Sequence, residues 1–190
     1  MKASKYKLIL NSAKDLFWRY GLNKVSIQEI CKASSISKMT FYRNFKNKNE
    51  LALKIFKELT NNQFNLYKNI MASKVSFSKK ISDLINLKYQ TSNNISKELF
   101  QDIYSEKNND LKSFLLASQK QTQKEIYKDF KLAQKKGEIR KDIKIEFLIY
   151  LLQDVNKKLV DPKLVKHYNN EQELIMELTK HYFYGILPEK

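Results

Sequence analysis

Three glycines and two prolines in 190 residues leave almost no places where the chain can reverse sharply. An antiparallel β domain needs turn residues roughly every ten positions, so the scarcity points to an all-helical fold. The glycines support this by position. Gly21 follows the run Ile9, Ala13, Leu16, Phe17, Tyr20, Gly137 closes a run from about Asn109, and Gly185 follows the last apolar stretch. Each stands where a left-handed residue would cap a helix C-terminus. Start signals lie between them. Ser26 with Glu29, Asn47 with Glu50 and Asn170 with Glu173 each set a capping residue three positions before a glutamate, and Asp161 precedes Pro162. The pattern predicts helices at 5–20, 26–33, 37–44, 47–72, 76–90, 94–106, 109–136, 143–158, 162–168 and 171–184.

Charge narrows the partners. Thirty-six Lys and Arg against 20 Asp and Glu give a net charge of +16, which favours a polyanion. Residues 1–50 hold nine Lys and two Arg against Asp15, Glu29 and Glu50, a net +8, so about a quarter of the chain carries half the surplus. Nucleic acid is the leading partner and an anionic membrane surface the second. The run Phe147 to Leu152 is too short to span a bilayer, and Leu8–Leu10 is broken at once by Asn11, Ser12 and Lys14, so no signal peptide is expected. Lone Cys31 excludes an intramolecular disulfide and fits a reducing cytoplasm. The expected protein is soluble, cytoplasmic and without a membrane partner.

The chemistry concentrates between Ser26 and Phe45, where two short helices are joined by a tight turn. Ile27, Ile30 and Cys31 point inward from the first and Phe41 and Phe45 from the second, with Ile36 in the corner and Leu16 and Phe17 closing a three-helix core. Outside remain Lys38, Met39, Thr40, Tyr42 and Arg43. A helix so exposed fits the major groove of DNA, about 12 Å wide. This is a helix-turn-helix pattern.

The stretches Ala13–Leu22, Val25–Cys31 and Ile36–Leu51 also resemble the DNA-binding signature of the TetR family of bacterial transcriptional regulators, over about the first quarter of the chain. Ser35 stands where that family usually has a turn glycine, and Met39 where it often has a small residue. The resemblance implies a homodimeric all-α regulator. Residues 1–46 would form the helix-turn-helix domain, joined by a long fourth helix to an effector-binding and dimerisation domain over 47–190. Base contacts would come from Lys38, Met39 and Thr40 with Gln28, and phosphate contacts from Ser26, Tyr42, Asn44 and Lys48; Ser37 and Arg43 complete the expected set. The implied partners are a palindromic double-stranded operator, a second copy of the chain and a small-molecule effector.

Elsewhere the residues are quieter. Cys31 reads as a packed thiol, His167 as a surface residue, and His181 as partly buried on the last helix. No metal or other cofactor is expected, and the chain holds no nucleophile elbow, phosphate-cradling glycine loop or zinc-protease pattern that would argue for an enzyme. An effector pocket would draw on Tyr89, Gln90, Tyr104 and Gln119. The run Phe147 to Leu152 is apolar all round and the last helix carries two apolar stripes. This predicts a two-fold four-helix contact through Phe147, Tyr150, Leu151, Leu174, Leu178, His181 and Tyr182. Three readings follow: a ligand-released repressor, an adaptor of the same fold controlled by a protein partner, and a basic protein acting at an anionic membrane.

Overall fold

The computed structural model describes residues 4–93, 95–104, 109–159 and 161–188, apart from the side chains of Tyr104, Asp154 and Asn156. All regular structure among these residues is helical: α1 (Lys5–Tyr20), α2 (Ile27–Ala33), α3 (Lys38–Asn44), α4 (Lys48–Ala72), α5 (Phe77–Thr91), α6 (Lys97–Tyr104), α7 (Asn109–Lys135), α8 (Ile145–Lys158), α9 (Pro162–Val165) and α10 (Glu171–Tyr184). The all-α expectation holds. No described helix is long and apolar enough to cross a membrane.

Helix starts follow the capping chemistry. Ser26 and Glu29 form a full capping box: Ser26 Oγ accepts from the Glu29 N–H at 3.2 Å, while Glu29 Oε2 accepts from the Ser26 N–H at 2.7 Å. At α4 and α10 the pattern is half-kept. Asn47 and Asn170 accept from the third helical N–H, but each glutamate reaches one residue further back, Glu50 to the Lys46 N–H and Glu173 to the Asn169 N–H.

The stops are more instructive. Gly21 and Gly137 have the positive φ expected of capping glycines, 83° and 76°, although the ψ of Gly21, 169°, lies outside the left-handed helical region. Gly185 does not: its φ is −67°, because the backbone continues in tight turns in which Ile186 and Leu187 bond back to Phe183 and Tyr184. Likewise α9 ends at Val165, and residues 166–168 continue as turns instead of helix. Residue 94 and residues 105–106 of the expected sixth helix lie outside the described residues.

Packing divides the chain into two compact units, Met1–Asn62 with Asn94–Leu116 and Gln63–Asn93 with Ala117–Lys190, so two of the three divisions fall inside the long helices α4 and α7 and the third falls between α5 and α6. The first unit is built on Ile9, Ala13, Phe17, Ile30, Phe41, Phe45, Leu51, Ile55 and Leu99. The second is built on Tyr67, Phe77, Ile81, Leu84, Phe130, Ile139, Leu148 and Tyr182, with α5 lying against α10.

Candidate nucleic-acid interface

The turn between α2 and α3 fixes the site. Ile36 N–H donates to the Cys31 carbonyl at 3.0 Å and Ser35 N–H to that of Lys32 at 3.2 Å, the paired bonds of a Schellman cap. Such a cap needs a left-handed residue, and Ser35 takes it with φ 53°. Serine therefore performs the turn that the missing glycine would have made, with the geometry kept and some backbone strain accepted.

From that turn α3 starts under a Ser37 cap whose Oγ accepts from the Thr40 N–H at 3.2 Å. Phe41 and Phe45 are buried, Ile36 is half-buried on the same cluster, and Tyr6 of α1 stacks on Phe45 at 5.4 Å. With the inward face filled, Lys38, Met39, Tyr42 and Arg43 are left outside; Met39 is 74% exposed and Tyr42 56%. Among the described residues Lys38, Arg43 and Lys46 form no ion pair, so their charges are not neutralised within the chain.

Some expected contacts are partly engaged already. Both polar groups of Ser26 are bonded to Glu29, in the capping box. Asn44 Nδ2 donates to the Thr40 carbonyl at 2.7 Å, and Thr40 Oγ1 lies 3.1 Å from Ser37 Oγ. Gln28 is exposed on α2. Lys48 gives its ammonium to the carbonyls of Val25 at 2.6 Å and Asn23 at 3.3 Å, and burial lowers its pKa against the opposing pull of Asp102 and Glu29. An ammonium at the start of a helix opposes the dipole; here the carbonyls of the loop before α2 compensate it.

That loop is clasped from α6 as well. Asn23 donates to Asp102 through its backbone N–H at 2.9 Å and through its side-chain amide, and Lys24 pairs with Glu98 at 3.3 Å. Neither contact had a sequence signal, since the partners are more than seventy positions apart. Only Gly21 hinted at something close by: a Cβ there would lie 2.5 Å from Asp102 Oδ2 and 3.0 Å from Glu98 Cβ. Cys31 is buried, and burial pushes its thiol up despite the charge of Lys38, which makes it a poor nucleophile.

Away from the helix-turn-helix, Tyr89 and Gln90 lie exposed on the last turn of α5, Gln119 is half-buried on α7, and the Tyr104 side chain lies outside the described residues. Phe147 and Tyr150 are 51% and 60% exposed on α8. Leu151 and Leu178 are half-buried, while Leu174 and Tyr182 are buried inside their own unit. His167 is exposed as expected. His181 is exposed too, contrary to expectation, because the buried line of α10 passes through Leu174, Ile175 and Tyr182 and leaves its neighbour turned away. Among the described residues no group of three or more His, Cys, Asp or Glu side chains is placed to hold a metal.

A capped, filled and outwardly basic helix-turn-helix on an all-helical chain defines a class of DNA-binding proteins. Residues 9–55 match the model of bacterial regulatory proteins of the tetR family. Solved structures extend the likeness of fold over the whole length. The regulatory protein TetR from Rhodobacter sphaeroides superposes with a TM-score of 0.77 at 14% identity, covering 97% of this chain and all of that one. A putative transcriptional regulator from Saccharomonospora viridis in complex with choline gives 0.77 at 16% identity, covering 99% and 100%. The regulator FadR from Bacillus subtilis in complex with stearoyl-CoA gives 0.70 at 15% identity, covering 95% and 99%. A comparison with proteins of curated function found no match to this sequence.

Proposed function

We propose that the chain is a cytoplasmic, non-enzymatic transcriptional repressor that binds a palindromic operator as a homodimer and is released by a small hydrophobic effector. The observation that carries this reading is α3, whose apolar face is filled while Lys38, Met39, Tyr42 and Arg43 are exposed, the two cations without an ion pair among the described residues. Residues 1–46 read DNA in this proposal, and residues 47–190 hold the effector and the dimer contact. Met39 and the Thr40 methyl pack on thymine methyls, and Lys38 donates to base edges or phosphates. Dimerisation uses the aromatic surface of α8 at Phe147 and Tyr150 with Leu151 and Leu178, setting two recognition helices about 34–36 Å apart. The choline and stearoyl-CoA complexes of similarly folded regulators support a small-molecule effector.

Selection of bound sequences from a random DNA pool tests the reading. Inverted repeats are expected. On the selected site Thr40→Ala loses about 1–3 kcal/mol with little change on random DNA, whereas Lys48→Ala weakens both. A pool that shows no enriched sequence overturns the operator reading and leaves non-specific polyanion binding.

A further inference from the structure

Helix α6 follows α3 by more than fifty residues, yet it packs within the same compact unit. Its buried Leu99 and Ile103 enter the core that holds Leu22 and Val25 of the loop between α1 and α2. On the polar edge of α6, Glu98 pairs with Lys24, and Asp102 takes two hydrogen bonds from Asn23, one from the backbone N–H at 2.9 Å and one from the side-chain amide. Just before the helix, the Ser96 N–H donates to the Trp18 carbonyl at 2.9 Å, in the last turn of α1. Apolar packing is non-directional and tolerates small rotations, whereas a carboxylate bonded twice to one residue fixes that residue in direction as well as distance.

The residue so held passes the constraint on. The carbonyls of Asn23 and Val25 accept from the Lys48 ammonium at 3.3 and 2.6 Å, at the first residue of α4. An ammonium has three donors; these carbonyls engage two and leave one for a DNA phosphate. The bonded order is Asp102, Asn23, Lys48, running from α6 through the loop to the start of α4. Ser26, the cap of α2, follows that loop directly, so the same grip bears on where α2 begins. A carboxylate beside a DNA-binding face repels phosphate unless it is answered. Asp102 is answered by the backbone and amide of Asn23 and by the nearby charge of Lys48.

We propose that Asp102 is a positioning residue for DNA binding: through Asn23 it fixes the carbonyls that hold Lys48, and so sets the place of the ammonium that meets a phosphate. The inference deepens the DNA-binding reading above and rests on it for the phosphate contact. Asp102 acts through Lys48, not by touching DNA. A carboxylate that served stability alone would, on removal, lower the melting temperature and leave the affinity of the folded protein unchanged.

Binding of the full-length protein to a random-sequence duplex, followed by fluorescence anisotropy over a range of salt, reads the phosphate contact without needing an operator. Asp102→Ala is expected to weaken binding about ten-fold at fixed salt and to lower the salt slope by about 1, as Lys48→Met does. In the Lys48→Met background Asp102→Ala should change affinity by less than about two-fold, because the residue it positions is gone. Exchange of the pair gives a rescue. Asn23→Asp alone sets two carboxylates against each other and should weaken binding at least as much as Asp102→Ala. Asn23→Asp with Asp102→Asn restores donor to acceptor across the contact and should return affinity to within about three-fold of the wild type. Each affinity is taken well below that variant's melting temperature, and the exchange keeps the test in hand should Asp102→Ala fail to fold. Wild-type affinity and slope in folded Asp102→Ala, a loss that persists in the Lys48→Met background, or an exchange as weak as Asn23→Asp overturns the proposal. A wild type that binds the random duplex through Lys48 and Asp102 but enriches no sequence from a pool removes the operator reading and keeps the positioning role. A wild type that binds no duplex removes both.

Discussion

The loop and turn that frame α2 and α3 differ in kind from the interior between α5 and α10. In the first, polar groups answer one another: Ser26 with Glu29, Ser35 with Lys32, Ser37 with Thr40, Asn44 with Thr40, Lys48 with two carbonyls, Asn23 with Asp102. In the second, the Tyr182 hydroxyl is buried without a hydrogen-bond partner among the described residues. Tyr67 shows that the same interior can satisfy a phenol, since its hydroxyl donates to Asp129 at 2.7 Å. A surface that presents side chains at fixed positions is made by satisfying everything behind it. An interior that buries a hydroxyl without a partner carries the desolvation cost of that group instead.

The contrast can be broken most directly at Gly21. Its left-handed φ and the crowding by Asp102 and Glu98 should make Gly21→Ala cost about 2–3 kcal/mol in urea unfolding. A loss below half of that would mean that the clasp from α6 yields easily and that the loop before α2 is not fixed. Next come the two Schellman turns, one in each unit, made by Ser35 and Gly137. Ser35→Gly should stabilise by up to about 1 kcal/mol and Gly137→Ala destabilise by about the same. Equal signs would show that the turns are not equivalent.

A smaller pair sharpens the comparison of satisfied and unsatisfied groups. Ser26→Ala, which breaks a cap, should lose about 1 kcal/mol. Tyr182→Phe, which deletes an unpaired hydroxyl, should be neutral or stabilise by a few tenths. A clear loss on Tyr182→Phe would reveal a partner for that hydroxyl and weaken the contrast. The smallest effect concerns pH. Hydrogen bonds from the Ser26 backbone and hydroxyl hold the Glu29 carboxyl below the ordinary 4.5. Because the folded value is depressed, the stabilisation is present above 4.5 and is lost as pH falls through the lowered value. The melting-temperature gap between wild type and Glu29→Gln should thus be open at neutral pH and close in acid.

Most helices were legible in the sequence because their signals are local: a serine or asparagine cap, a glutamate three residues on, a glycine after the last apolar turn. The inward and outward faces of α3 were legible for the same reason, since Phe41 and Phe45 are one turn apart. What escaped depends on distant groups. Lys48 gives no hint in sequence that carbonyls from residues 23 and 25 will hold it, and Asp102 gives none that it will meet Asn23. Gly185 misled because a glycine after a helix is compatible with a continuing tight turn.

Ser37 has a consequence for the field outside the molecule. It caps α3 without charge, and the first turn that follows contains Lys38 and no acidic residue. The backbone dipoles of α3 sum to about half a positive charge at that end, and nothing in the first turn cancels it. The share of the potential that comes from peptide groups persists at any pH at which the helix is folded. Shortening Lys38 would lower this potential without abolishing it.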